Sequence, residues 1–339
     1  MPHETRLDQA YRVARMHYEG GRTMESIAAD LGISRSTVSR LLRDAREEGI
    51  VRISLHPPQR GRVRDLAHRI GDRYRVRCRI VGTDPDSDER RRLQLVASAA
   101  AAMIDDLLEP DTQLGLAWGT TVAAIVEELR PRPVPGMRVV QLNGAIGLGG
   151  TGQTYVSTML GRAAATWDAG IDAFPVPAFF DYAATREAMW QERSVRRVLA
   201  AQERCTLAVF GVGAFDAEVP SRAYTSGYLT DADRAELRAD AAVGDIATVF
   251  LRADGTWRGI GMNARSSGTD PARLAKVPQR ILVAAGPRKA VPLRAALLSG
   301  AATDLVIDER TAASLQALDD AGAARDYSAS PTSTRCAPV

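Results

Sequence analysis

Residues 24–42 read MESIAADLGISRSTVSRLL. Ile27, Ala28 and Leu31 recur at the spacing of one helix face, and Gly32 follows where a tight turn needs positive φ without a Cβ clash. Ser34 is a good N-cap for a second helix, whose Val38 and Leu41 turn back toward the small side chain of Ala28. A small residue, a glycine four later and an aliphatic six after that give the pattern of a helix-turn-helix. Ser34, Arg35, Ser36, Thr37, Ser39 and Arg40 are left facing outward. Short hydroxyls and guanidinium groups of this kind read base edges and hold phosphates, so these six are the candidate DNA-binding residues. One such unit discriminates weakly, because a good bidentate base contact is worth roughly 1–3 kcal/mol. Paired half-sites, and so a homodimer or homotetramer on double-stranded operator DNA, are expected.

Working outward, a β-like run at 51–55, with Arg52, is expected to form a wing, and His56-Pro57-Pro58 ends it because proline lacks an amide donor. This sets a helix-turn-helix domain at 1–56. A basic linker helix follows at 57–78, in a stretch from Arg60 to Arg79 with arginines at 60, 62, 64, 69, 73, 75, 77 and 79 against Asp65 and Asp72. Those arginines read equally well as a solvated face or as a surface for DNA phosphates. Beyond it, apolar runs at 79–81, 113–118, 138–142, 174–176, 206–212, 247–251, 280–284 and 304–307 alternate with helical segments near 90–108, 120–130, 155–168, 193–202, 231–239, 288–299 and 310–321. Continuous apolar strands between helices predict an α/β domain, 79–326, with a parallel sheet covered on both faces. The polar stretch 327–339 is expected to be disordered.

The 339 residues are 45% hydrophobic and 25% charged, ordinary for a globular protein, and the net charge of +3 neither demands nor excludes nucleic acid. Only Lys276 and Lys289 are lysines, so individual arginines carry little information. Cys78, Cys205 and Cys336 form no Cys-x-x-Cys pair, which suits a reducing cytoplasm and gives no metal or redox motif. No apolar run reaches the roughly 18 residues a membrane helix needs, and 1–12 has no signal core, so a cytoplasmic protein without a membrane partner is expected.

In the α/β part, Gly119 allows a turn after a strand, and Thr120 and Thr121 open the next helix. Hydroxyls and free N–H groups there favour a phosphate. Asn143-Gly144 follows another strand and precedes the loop GLGGTGQ, 147–153, so Asn143, Gly144 and Gln153 are further candidates for bonding ligand hydroxyls. The loop does not fit the dinucleotide fingerprint in its strand–helix setting, and no cofactor is expected.

Together with the helix-turn-helix, the stretches GLAWGTT (115–121), QLNG (141–144), PVPAFF (175–180), GVG (211–213), AVGDI (242–246) and AAGPRKAVPLRAALLSGAATDLVIDE (284–309) make the chain resemble the SorC/DeoR group of sugar-responsive transcription regulators over nearly its whole length. The resemblance implies a Rossmann-like domain, similar to sugar-phosphate isomerases and CoA transferases, that binds a phosphorylated sugar or polyol at the carboxyl ends of its strands. It implies an acidic residue for sugar hydroxyls at Asp245, in the AVGDI turn, and a phosphate-binding lysine at Lys289. Two departures stand out: Gly144-Ala145 replaces the usual Gly-Gly, and Gly286-Pro287 alters the pattern after a later strand.

The rival readings are a sugar-phosphate isomerase-like enzyme carrying a DNA-binding domain, and an architectural DNA-binding protein without small-molecule control. His3, His17, His56 and His68 all precede the α/β domain, and no H-E-x-x-H or G-x-S-x-G is present. Catalysis would fall to Asp245 or Lys289. A domain of some 250 residues with several Gly-rich strand ends exceeds what an architectural role needs. No catalytic or metal-ligating residues are therefore assigned.

Overall fold

The computed structural model of the protein describes residues 5–51, 61–84, 86–145, 151–219, 221–225 and 227–329. They belong to two compact units, 1–56 and 57–339.

The first unit consists of α1 (Arg6–Tyr18), α2 (Met24–Leu31) and α3 (Arg35–Glu47). Each begins at a hydroxyl cap: Thr5, whose partner Asp8 completes a capping box, then Thr23 and Ser34. Gly32 ends α2 at φ +64°, the left-handed turn its lack of a Cβ allows. Ala10, Val13 and Ala14 of α1 meet Ile27 of α2 and Val38, Leu41, Leu42 and Ala45 of α3 in a core of their own. Of the expected wing only Val51 is described, its amide bonded to Ala45 O at 2.8 Å. Arg52 and the rest of the wing lie outside the described residues.

The second unit opens with α4 (Gly61–Tyr74), then β1 (Arg77–Val81), α5 (Glu89–Leu107), β2 (Gln113–Leu116), α6 (Thr120–Glu128), β3 (Arg138–Gln141), α7 (Thr151–Trp167) and β4 (Gly170–Asp172). It continues through α8 (Ala183–Met189), α9 (Arg193–Glu203), β5 (Leu207–Ala214), α10 (Arg222–Thr225), α11 (Asp231–Ala239), β6 (Ala242–Ile246) and β7 (Val249–Arg252). After α12 (Gly261–Arg265), α13 (Pro271–Leu274) and β8 (Gln279–Ala284), a 3-10 turn at Pro287–Lys289 leads into α14 (Ala290–Leu298), β9 (Asp304–Asp308) and α15 (Glu309–Ala329). Seven strands pair in parallel in the order β1-β9-β8-β5-β2-β3-β4, and β6 and β7 form an antiparallel hairpin on the far end of β5.

Alternate residues of each strand feed opposite faces. Leu207, Val209, Ile281 and Val283 join α5 and α6 in one core, while Ala208, Phe210, Leu282 and Ala284 join α14 and α15 in the other. From β2 the chain moves outward to β3, whereas from β5 it moves the other way to β8. The β2–β5 boundary is therefore the point where strand order reverses, and the crevice outside the carboxyl ends there is where open α/β sheets receive ligands.

Several expectations need correction. The run 174–176 is not a strand: the edge strand is β4, and Phe174 and Val176 instead pack in a loop against Val195 and Val198 of α9. The AVGDI turn is strand β6, and 247–248 is the hairpin loop between β6 and β7, so the expected strand 247–251 starts two residues late. The linker helix is α4, and its Val63 and Ile70 are buried in the sheet-face core, so it belongs to the α/β unit. Helix α15 runs through Ala329, which takes in the first three residues of the stretch expected to be disordered; 330–339 lie outside the described residues.

Candidate DNA-binding surface and effector pocket

On α3, Arg35, Ser36, Ser39 and Arg40 are exposed. Ser34 is occupied by capping: its Oγ accepts the Thr37 amide at 3.1 Å and lies 2.8 Å from both the Ser36 and Thr37 hydroxyls. Thr37 is half-buried beside a cleft shared with Gln9, Arg12 and Val13 of α1, so it supports the helix pair more than it presents a surface. Arg35 Nε sits 2.8 Å from Glu25 Oε1, an exposed pair of the kind worth about 0–1 kcal/mol and so readily exchanged for a phosphate. Arg43, three residues after Arg40 and four after Ser39, extends the same exposed face. Helical spacing alone would have found it.

In the second unit one pocket lies at the β2–β5 boundary. It is lined by Gly119, Thr120 and Thr121 at the start of α6, by Gly211 and Gly213 of β5, and by Asp245, Thr248 and Lys289. Five of the sequence candidates, Gly119, Thr120, Thr121, Asp245 and Lys289, thus meet in one cleft. Gly119 is the extended N-cap of α6 and has no side chain to cap it, and the positive end of the helix dipole lies at this end. The glycines of β5 are needed for space. A Cβ on Gly213 would lie 1.9 Å from Asp245 Oδ1, and one on Gly211 would meet Thr121 at 3.2 Å.

Asp245 is fully enclosed. Tyr224 Oη donates to its Oδ1 at 2.5 Å and the Thr248 amide to its Oδ2 at 2.9 Å. Burial pushes its carboxyl above the ordinary range, against the pull of these two donors and of Lys289. Burial also draws the Lys289 ammonium down, opposed by Glu89, Asp245 and Asp308. Glu89, at the start of α5, accepts the Val219 amide at 3.3 Å through Oε1, while its buried Oε2 has no partner. A Cβ on Gly286 (φ +107°) would fall 2.6 Å from that carboxylate, which explains a glycine there. Lys289 is thus buried among three carboxylates, in the same pocket as the first turn of α6.

The remaining candidates stand apart. Asn143 is fully buried; its Oδ1 accepts the Trp118 amide at 3.3 Å and its Nδ2 has no partner. Gly144 is a packing residue: a Cβ would lie 2.4 Å from Val176 O and 2.5 Å from Pro177 O, and its amide already donates to Ser267 Oγ at 3.0 Å. Gln153, in the first turn of α7, faces Ser157 and does not line the pocket; loop residues 147–150 lie outside the described residues. Glu89, Tyr224 and Thr248 escaped the sequence reading because no local motif marks them.

A helix-turn-helix unit joined to an α/β unit with a polar pocket at its strand-order reversal defines a ligand-responsive transcription regulator. The comparisons agree. The sugar-binding-domain family model (Sugar-bind) matches residues 61–317 and a homeodomain-like model matches 4–53. The chain belongs to the SorC/DeoR-type family of sugar-binding transcriptional regulators. It is 30% identical to the deoxyribonucleoside regulator of Bacillus subtilis (strain 168), over 89% of this chain and 95% of that one. A crystal structure of the full-length sorbitol operon regulator SorC from Klebsiella pneumoniae superposes with a TM-score of 0.75 at 25% identity, covering 91% of this chain and 97% of that one. A domain described as that of "a possible sugar-binding transcriptional regulator" from Arthrobacter aurescens TC1 gives a TM-score of 0.71 at 40% identity, over 77% and 99% of the two chains. The protein is thus a regulator rather than an enzyme, with an N-terminal DNA-binding domain and a sugar-binding α/β domain. Among the described residues no helix is long and apolar enough to cross a membrane.

Proposed function

We propose that the protein is a cytoplasmic homo-oligomer that binds operator DNA through α3 and is controlled by a phosphorylated sugar or polyol held in the pocket between α6 and Lys289. The observation that carries this is the convergence of the first turn of α6, Lys289 and Asp245 on one cleft. The phosphate sits on the amides and hydroxyls of Thr120 and Thr121 with Lys289 as counter-ion, and Asp245 accepts from a sugar hydroxyl. Arg35, Ser36, Ser39 and Arg40 supply the base and phosphate contacts. Two copies present two such helices to half-sites one turn apart.

The test is fluorescence-anisotropy titration of the upstream DNA at fixed salt, with and without a panel of sugar and polyol phosphates. One compound is expected to shift the affinity by roughly 5–150-fold, the span of ordinary allosteric coupling. Thr121→Glu places a carboxylate where the phosphate belongs, so it is expected to abolish that shift and leave DNA affinity unchanged. A response that survives the substitution removes the phosphate assignment.

A further inference from the structure

Thr248 lines the effector pocket; its neighbour Val249 lines a different cavity, of about 400 Å³, which shares no lining residue with the first. That volume is within the range of small-molecule sites, about 300–1,000 Å³. Its walls carry Arg186, Trp257, Arg258, Asn263 and Asp270. Asn263 is spent on the backbone, bonding Phe250 and Trp257. Asp270, the lone acid in the lining, caps α13 by accepting the Arg273 amide at 2.9 Å.

The arginines are different. Among the described residues neither Arg186 nor Arg258 forms an ion pair, and Arg186 Nε is buried without a hydrogen-bond partner. Each guanidinium lies over an indole instead, Arg186 at 4.5 Å from Trp190 and Arg258 at 5.7 Å from Trp257. Stacking fixes the plane of a guanidinium and leaves its N–H groups free. Burial and the nearby Arg273 disfavour the charge on Arg186, and Glu187 and Asp270 offset this only in part, yet an arginine does not give up its proton in a protein. A half-buried, unpaired cation of this kind is relieved by an anion.

We propose that this cavity is a second anion-binding site, which takes a small organic acid or phosphate on Arg186 and Arg258, separate from the effector pocket. Citrate and orthophosphate are the probes, titrated calorimetrically into the full-length protein at constant ionic strength, with chloride as the control. In the Thr121→Glu protein, whose first pocket is blocked, one anion is expected still to bind. Adding Arg186→Gln or Arg258→Gln is expected to weaken it roughly tenfold, the loss of one charge-assisted hydrogen bond. Arg258 is exposed, so its variant keeps the test valid if Arg186→Gln folds poorly. The proposal is overturned if the Thr121→Glu protein binds no anion, or if Arg258→Gln leaves the titration unchanged. It is equally overturned if Arg258→Gln changes the assembly mass in sedimentation, since the arginines would then face a second copy of the chain.

Discussion

At the scale of single residues, Asp245 shows how burial and function meet. A carboxylate enclosed at the end of a sheet costs several kcal/mol unless donors surround it, and here Tyr224 Oη and the Thr248 amide do so. The arrangement exists only because position 213 has no side chain: a Cβ there would lie 1.9 Å from Asp245 Oδ1 and 2.8 Å from Tyr224 Oη. Gly213→Ala is therefore expected to push the carboxylate off its donors. Effector affinity, read by anisotropy, should fall roughly 10–100-fold, while DNA binding without effector stays as it was. A Gly213→Ala protein that responds normally would mean Asp245 takes no part in recognition. The sequence carried the identities of Asp245 and Lys289 through the resemblance, and those of Thr120 and Thr121 through helix-start chemistry. It could not carry Tyr224 or Glu89, which act on Asp245 and Lys289 from separate elements, nor could it show that Gly144 is held for packing.

At the scale of elements, the errors trace to signals that local sequence lacks. Strand β6 read as a turn because Gly244 and Asp245 mark turns in most settings. Its true hairpin loop is Ala247-Thr248, where both residues take positive φ, 46° and 65°; glycine or asparagine is the usual sign of such a loop. Edge strand β4 is three residues long and too short to show a pattern, while the apolar loop after it does. The parallel core strands were legible because burial on both faces leaves an unbroken apolar run. Asp172 of edge strand β4 pairs with Arg138 Nε at 2.6 Å and, more loosely, with the exposed Arg197 at 3.6 Å, and Arg138 does most to hold the buried carboxyl below its ordinary value of 3.8. A carboxyl lowered in the folded state contributes stability above its unfolded pKa, and that contribution is lost as pH falls through the folded value. Arg138→Gln is expected to cost about 1 kcal/mol at pH 7, discounted because the Arg138 side chain is 39% exposed. The gap from the native protein should narrow as pH falls below 3.8. Urea midpoints at pH 7 and pH 3 check this, and a gap that stays constant would show that charge is not the cause.

At the scale of the whole molecule, the helix-turn-helix unit has a core that shares no residue with the cores of the α/β unit. Separate cores mean separate cooperative units, and a ligand stabilises only the unit whose native form it binds. Calorimetry of the full chain is therefore expected to show two transitions. A sugar phosphate at one hundred times its Kd should add about 2.7 kcal/mol to the α/β transition and leave the other in place. Operator DNA should do the reverse. In the proposed homo-oligomer that outcome would place the effector signal in the spacing of paired recognition helices, and not in the stability of the helix-turn-helix itself. If the effector raises both transitions together, the two units unfold as one, and the coupling runs within a single chain. Repeating the scan at tenfold dilution separates the cases further. A transition that depends on subunit contacts falls in temperature on dilution, whereas one set by a single chain's own core does not.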